Sequence, residues 1–193
     1  MPKIDNEKFY ISAIQKHGVS AKGVNWASSH SQKTRFRVIC ELLPSDLSSV
    51  SIIDAGCGFA DFYTYLQKKK NLPKAYIGID ALEDMSAIAS NNTGCQIITA
   101  DIIKEEIPQA DYVVCSGAMN VLEKFETYQF IQNCFQASTI AFVFNILHGD
   151  KESQTYNYFT KQQLQNIAND LNVTQSIYKE DYMEDDITAI FFK

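Results

Sequence analysis

The ten residues Ile52-Ile53-Asp54-Ala55-Gly56-Cys57-Gly58-Phe59-Ala60-Asp61 constrain the fold more than any other stretch, because they carry a buried strand through a glycine turn into a helix. The apolar run at residues 50–53 reads as a parallel strand, and Phe59, Phe62, Tyr63 and Leu66 recur behind it at helical spacing. Gly56 and Gly58 tolerate a positive φ and bring bare backbone close to a ligand, while the first helical turn offers N–H groups without intrahelical partners. A dinucleotide-binding loop of the G-x-G-x-x-G pattern needs a small residue where this chain has Asp61, so that reading fails at its third position.

Strand and helix patterns alternate along the rest of the chain, as expected of a parallel sheet covered on both faces. Residues 75–80 form a second strand, a short helix spans 84–89, residues 96–99 form a third strand and 111–115 a fourth. A helix over 124–136 leads to a fifth strand over 139–146, and Thr160 with Gln163 makes a capping box for a helix whose Leu164, Ile167, Ala168 and Leu171 share one face. Only residues 179–186 separate the last two strand patterns, near 173–178 and 187–192. That leaves no room for a crossover helix, so the final pair is antiparallel. With 193 residues, 46% of them hydrophobic, the chain can bury a substantial core, and no linker divides it. One domain over 1–193 is expected, with N-terminal helices and a lid over 1–45 and an α/β core over 46–193.

No apolar run approaches the roughly 20 residues of a membrane span, and the N-terminus lacks the apolar region of a signal peptide, so a cytoplasmic protein is expected. The five cysteines include no C-x-x-C pair and read as reduced core thiols, with no disulfide and no zinc or other metal site. A net charge of −6 argues against nucleic acid as a partner, since that needs a basic surface.

Asp54, Asp61, Asp80 and Asp101 all fall at or just beyond strand ends. Four carboxylates there repel a pyrophosphate, whereas S-adenosylmethionine has no phosphate and carries a sulfonium and an ammonium. At these residues the sequence resembles the class I S-adenosylmethionine-dependent methyltransferases, whose first motif is acid-x-Gly-x-Gly-x-Gly. Asp54, Gly56 and Gly58 match it, and Ala60 stands at the third glycine, a mild departure on helical backbone. The resemblance covers the chain from about residue 50 onward. It implies a three-layer Rossmann-like sandwich with a mostly parallel seven-stranded sheet, an antiparallel C-terminal strand and an N-terminal helical lid.

The resemblance also implies roles for particular residues. The loop Gly56-Cys57-Gly58 lies against the cofactor, with Asp54 organising it and the methionine ammonium. Asp80, followed by Ala81, accepts from the ribose hydroxyls. The Asp101 carboxylate meets the adenine amino group while the Ile102 backbone supports the ring, and Ser116 and Gly117 place carbonyls near the amine of the methionine part. A surface or capping role for Asp80, and plain turn chemistry for Asp101, are the alternatives.

Two helical patterns, over 4–15 and 32–43, precede the core, and the loop between them holds the only tryptophan, Trp26. Such a loop suits a lid whose indole packs on the cofactor, or else one anchored to the core by that indole. An enclosed methionine carboxylate needs a cationic or backbone partner, for which Arg35 is preferred over Arg37. Methyl transfer needs a positioned acceptor in a dry pocket more than a dedicated base. Where a proton must leave, Asn120, Asn145 and His148 near the fourth and fifth strand ends are the candidates. The sequence Ser116-Gly117-Ala118-Met119-Asn120 lacks the Pro-Pro-aromatic signature of relatives that methylate planar amines, which with the acidic charge points to a small-molecule acceptor. A protein side chain as acceptor, a cofactor-binding module without transfer, and a nicotinamide-dependent oxidoreductase stand as other readings.

Overall fold

The computed structural model describes residues 28–193, together with Lys16 and Gly18. The expected helix over 4–15 lies outside the described residues, as do Trp26 and nearly all of the expected lid. The first helix described, α1 (Ser29–Leu42), begins three residues earlier than its apolar stripe indicates. The cause is a capping box: Ser28 Oγ accepts from the Ser31 amide at 3.1 Å, and the Ser31 side chain accepts from the Ser28 amide at 3.2 Å. His30, assigned from sequence to the loop, is therefore the second residue of α1.

The core follows as β1 (Ser51–Ala55), α2 (Asp61–Lys68), β2 (Ala75–Asp80), α3 (Glu83–Thr93), β3 (Gln96–Thr99) and, with no helix between, β4 (Ala110–Ser116). A 3-10 turn (Ala118–Val121) leads to α4 (Lys124–Ala137), β5 (Ser138–Leu147), α5 (Lys161–Asp170), β6 (Gln175–Lys179) and β7 (Asp186–Phe192). The seven strands hydrogen-bond in the order β3-β2-β1-β4-β5-β7-β6. The first five are parallel, and β7 runs antiparallel to both β5 and β6, as the short connection between the last two strands requires. The predicted Thr160 and Gln163 capping box starts α5.

Two apolar layers sandwich the sheet. Phe36 and Ile39 of α1 and Phe62 and Leu66 of α2 pack on Ile52, Tyr76, Val114 and Val143. On the opposite face Phe130, Ile131 and Cys134 of α4 and Leu164 and Ile167 of α5 pack on Ile53, Val113, Phe142 and Phe144. Burying each of these large side chains contributes about 1.5–3 kcal/mol, which fixes the register of alternate strand residues and so the direction of every strand end. All five cysteines are unpaired thiols. Among the described residues no helix is long and apolar enough to cross a membrane.

The order of the strands places the carboxyl ends of β1 and β4 side by side while their following segments turn to opposite faces. A crevice opens at such a switch point in open α/β sheets, and among the described residues a cavity lies there.

Candidate functional site

The cavity has a volume of about 650 Å³, within the range that encloses a cofactor-sized ligand. Its floor is the loop after β1. Gly56 and Cys57 both donate to the carbonyl of Ile79, at 2.8 and 3.0 Å, which draws the loop across the end of β2. Gly56 has φ +73°, and a Cβ there would stand 2.3 Å from that of Ala118, so only glycine fits between the two turns. Ala60, at the third motif position, is left-handed, with φ 58° and ψ 39°. This corrects the expectation of helical backbone: the loop keeps the glycine-type conformation, and alanine bears a strain of roughly 1–2 kcal/mol. The helix consequently starts at Asp61, and Phe59 belongs to the turn.

Asp80 closes β2 beneath this loop. One carboxylate oxygen accepts from the Gly58 amide at 2.9 Å and the other from the Leu82 amide at 3.0 Å. Burial pushes its carboxyl up, opposed by these backbone donors. Asp54 is more enclosed. Burial raises its carboxyl to about 7, against the hydrogen bond that the Tyr76 hydroxyl donates to it at 2.5 Å, with Asp80 and Asp61 adding to the rise.

On the β3 side, Asp101 caps the turn that follows, accepting from the Ile103 amide at 3.0 Å and pairing with Lys104 Nζ at 2.6 Å. Under α1, Arg35 lines the cavity and donates through Nε to the buried Asp186 at the start of β7. Asp186 also accepts from the Tyr182 hydroxyl at 2.7 Å, and its carboxyl is raised by burial in spite of Arg35. Gln32, one turn before Arg35, donates to Asp61 at 2.9 Å and ties α1 to the start of α2.

A family model of the methyltransferase domain matches residues 52–139, the span that holds the glycine loop, Asp80 and Asp101. Solved structures share the fold across the chain. A magnesium protoporphyrin IX methyltransferase from Synechocystis PCC 6803 with bound SAM superposes with a TM-score of 0.71 at 13% identity, covering 100% of this chain and 99% of that one. An S-adenosylmethionine-dependent methyltransferase from Mesorhizobium loti gives 0.64 at 17% identity, covering 81% of this chain and 96% of that one. A possible histamine N-methyltransferase from Thermotoga maritima gives 0.65 at 12% identity, covering 84% and 88%. Residues 52–139 thus match a methyltransferase domain, on a chain that has the fold of S-adenosylmethionine-dependent methyltransferases. No curated protein matches the chain in sequence.

Asp54, Gly56, Cys57, Gly58, Asp80, Ala81, Asp101, Ile102, Ser116, Arg35 and Asn120 all line the one cavity. The other two candidates for proton transfer do not. Asn145 is fully buried behind Ser116, whose hydroxyl donates to its Oδ1 at 3.0 Å. His148 lies outside the cavity, its Nδ1 3.0 Å from the Phe159 carbonyl and its amide donating to the Asp185 carbonyl at 2.9 Å. Asn120 reaches the cavity wall, yet its side-chain oxygen is taken by the Leu147 amide at 3.1 Å, so it braces β5 against the turn after β4. Sequence reading missed Gln32, Leu82, Met85, Glu126, Phe130 and Tyr156 as wall residues. Gln32 left a trace, since with Arg35 it interrupts the buried side of α1 one turn apart; Tyr156, in a loop, left none.

Proposed function

We propose that the protein transfers the methyl group of S-adenosylmethionine to a small-molecule acceptor. The observation that carries this reading is the buried Asp80, its two oxygens aimed by the amides of Gly58 and Leu82 beside a left-handed glycine loop. A carboxylate fixed in this way accepts from a pair of ribose hydroxyls with little loss of side-chain freedom. The loop suits the cofactor on the same ground, because Gly56 leaves space that a Cβ would fill.

The remaining roles follow from position. Asp101 and the Ile102 backbone flank the adenine, with Lys104 competing for the Asp101 carboxylate. Ser116 and Gly117 face the methionine part, Asp54 offers its carboxyl toward the ammonium, and Arg35, shared with Asp186, lies within the same wall for the carboxylate. The bound cofactor supplies an activated methyl, so the chain has to orient an acceptor and exclude water; Asp61 and the acidic lining disfavour a pyrophosphate in the same place.

Calorimetric titration with S-adenosylmethionine and with NAD tests the reading. Saturable binding of the first alone is expected, and NAD binding without any response to S-adenosylmethionine would overturn it. Mass spectrometry of small molecules that co-purify with the protein then looks for the acceptor directly.

A further inference from the structure

Most of the carboxylates that line the cavity are engaged within the chain. Asp54 accepts from the Tyr76 hydroxyl, Asp80 from the amides of Gly58 and Leu82, Asp101 from the Ile103 amide and Lys104, and Glu126 from the Glu123 amide. Asp61 differs. Among the described residues its carboxylate receives a hydrogen bond only from a neutral group, Gln32 Nε2 to Oδ2 at 2.9 Å, and pairs with no cation.

That bond orients both side chains. Only the nitrogen of an amide can donate to a carboxylate, so the Gln32 oxygen is turned away from the bond. Gln32 is 7% exposed, and it lines the cavity together with Asp61. Neither Gln32 Oε1 nor Asp61 Oδ1 has a hydrogen-bond partner among the described residues, and neither is sealed in protein. The pair thus offers two acceptor oxygens and a negative charge. Beside it the wall is apolar: Phe36, one turn after Gln32, meets Phe62, the residue after Asp61, with ring centroids 5.3 Å apart. An apolar surround strengthens the attraction of such a carboxylate for a cation.

Its place along the sheet indicates which cation. In the reading above adenine lies at the end of β3, by Asp101, and ribose at the end of β2, by Asp80. Following the order β3-β2-β1-β4, the methionine part then falls over the ends of β1 and β4. Asp61 begins α2 where the loop after β1 ends, and α1, which carries Gln32, packs beside α2 and over β4, β5 and β7. The pair therefore stands on the methionine side of the cavity.

We propose that Gln32 and Asp61 together receive the ammonium of the methionine part, with Asp61 as its counter-ion. This rests on the methyl-transfer reading and deepens it by two binding residues. An ammonium carries three N–H donors, of which Gln32 Oε1 and Asp61 Oδ1 accept two, leaving one for Asp54 or the carbonyls after β4.

The test uses the full chain and two ligands that differ in this group alone: S-adenosylhomocysteine, and its analogue with hydrogen in place of the α-ammonium and the carboxylate kept. In calorimetric titration Asp61→Asn should weaken S-adenosylhomocysteine by about tenfold, the effect of losing a hydrogen bond to a charged group, and change the ammonium-free analogue by less than about twofold. Asparagine keeps an oxygen for Gln32, so the tie between the helices survives. Gln32→Met, of similar length but without the oxygen, should also weaken S-adenosylhomocysteine more than the analogue, and it reports on the same site should Asp61→Asn fail to fold. The difference between ligands is the readout, because a side chain that only holds α1 to α2 affects both alike. Equal weakening of the two ligands, or an unchanged S-adenosylhomocysteine affinity in a folded Asp61→Asn protein, would overturn the proposal. Failure of S-adenosylhomocysteine to bind the unaltered chain would remove the cofactor reading and this role with it; equal binding of that compound to the unaltered chain and to Asp61→Asn removes only the role of the pair.

Discussion

Around Asp80 the cavity is held by backbone. The carboxylate receives the amides of Gly58 and Leu82, 22 and 2 positions away, and the Ile79 carbonyl receives two more amides from the loop. Beneath α1 the holding is done by side chains from remote parts of the chain: Arg35 meets Asp186 across 151 positions, and Ser116 meets Asn145 across 29. The first half is a property of one strand-turn-helix unit and its neighbour strand. The second is spread over β4, β5 and β7, and its Arg35–Asp186 pair needs β7 in its place between β5 and β6. A site of this kind therefore joins a locally specified cofactor half to a wall that depends on the completed sheet.

The sharpest way to break that contrast is to remove Arg35. Arg35→Ala leaves Asp186 buried without its cation, and stability should fall by about 3–5 kcal/mol in urea unfolding. A loss below about 1 kcal/mol would mean that the remote half is not held by this pair. In the local half, Asp80→Ala should weaken S-adenosylmethionine binding by tenfold or more, because hydrogen bonds to a charged group contribute about 1.5–3 kcal/mol each. An unchanged dissociation constant in a folded variant would reduce Asp80 to a brace for the loop. Thr160→Ala, which removes the cap of α5 away from the cavity, should cost about 1 kcal/mol of stability and leave cofactor affinity as it was. If it alters affinity, the two halves are coupled more widely than these contacts indicate.

The smallest effect concerns pH. Asp54 titrates near 7 in the folded protein against an ordinary value of 3.8. Its ionisation is disfavoured by folding, so the stability it contributes is complete below about pH 4 and lost as pH rises through about 7. A cationic ligand reverses that bias by favouring the ionised form. Affinity for S-adenosylmethionine should rise about threefold between pH 6.5 and 7.5 with proton release on binding, as calorimetry in buffers of different ionisation enthalpy would detect. Asp54→Asn should flatten the profile, and a profile equally steep in that variant would exclude Asp54 as its source.

The same contrast explains what sequence made legible. The glycine loop, Asp80 and the order of strands and helices through β5 declare themselves in patterns a few residues long, and the short 179–186 connection was enough to fix the sense of β7. The left-handed Ala60 was not legible, because alanine is a good helix former and only the pull of the loop toward Ile79 overrides that preference. Asn145 and His148 looked alike as polar residues near the end of β5. Pleating and the bonds to Ser116 and Phe159 turn both away from the cavity, and neither partner is visible without the fold. Asp186 as the partner of Arg35 and Tyr156 as a wall residue depend on contacts between distant segments, which carry no periodic signal.

The approach of Gly56 to Ala118 has a consequence for how this fold can vary. Two turns that follow neighbouring strands share a space sized for a single methyl group, supplied from position 118. Bulk is thus a joint property of the two positions: enlarging either alone forces the turns apart, while moving the methyl from 118 to 56 would still confront the left-handed backbone at the latter. The exchange is asymmetric, and drift in this pair is confined to the side that faces away from β1.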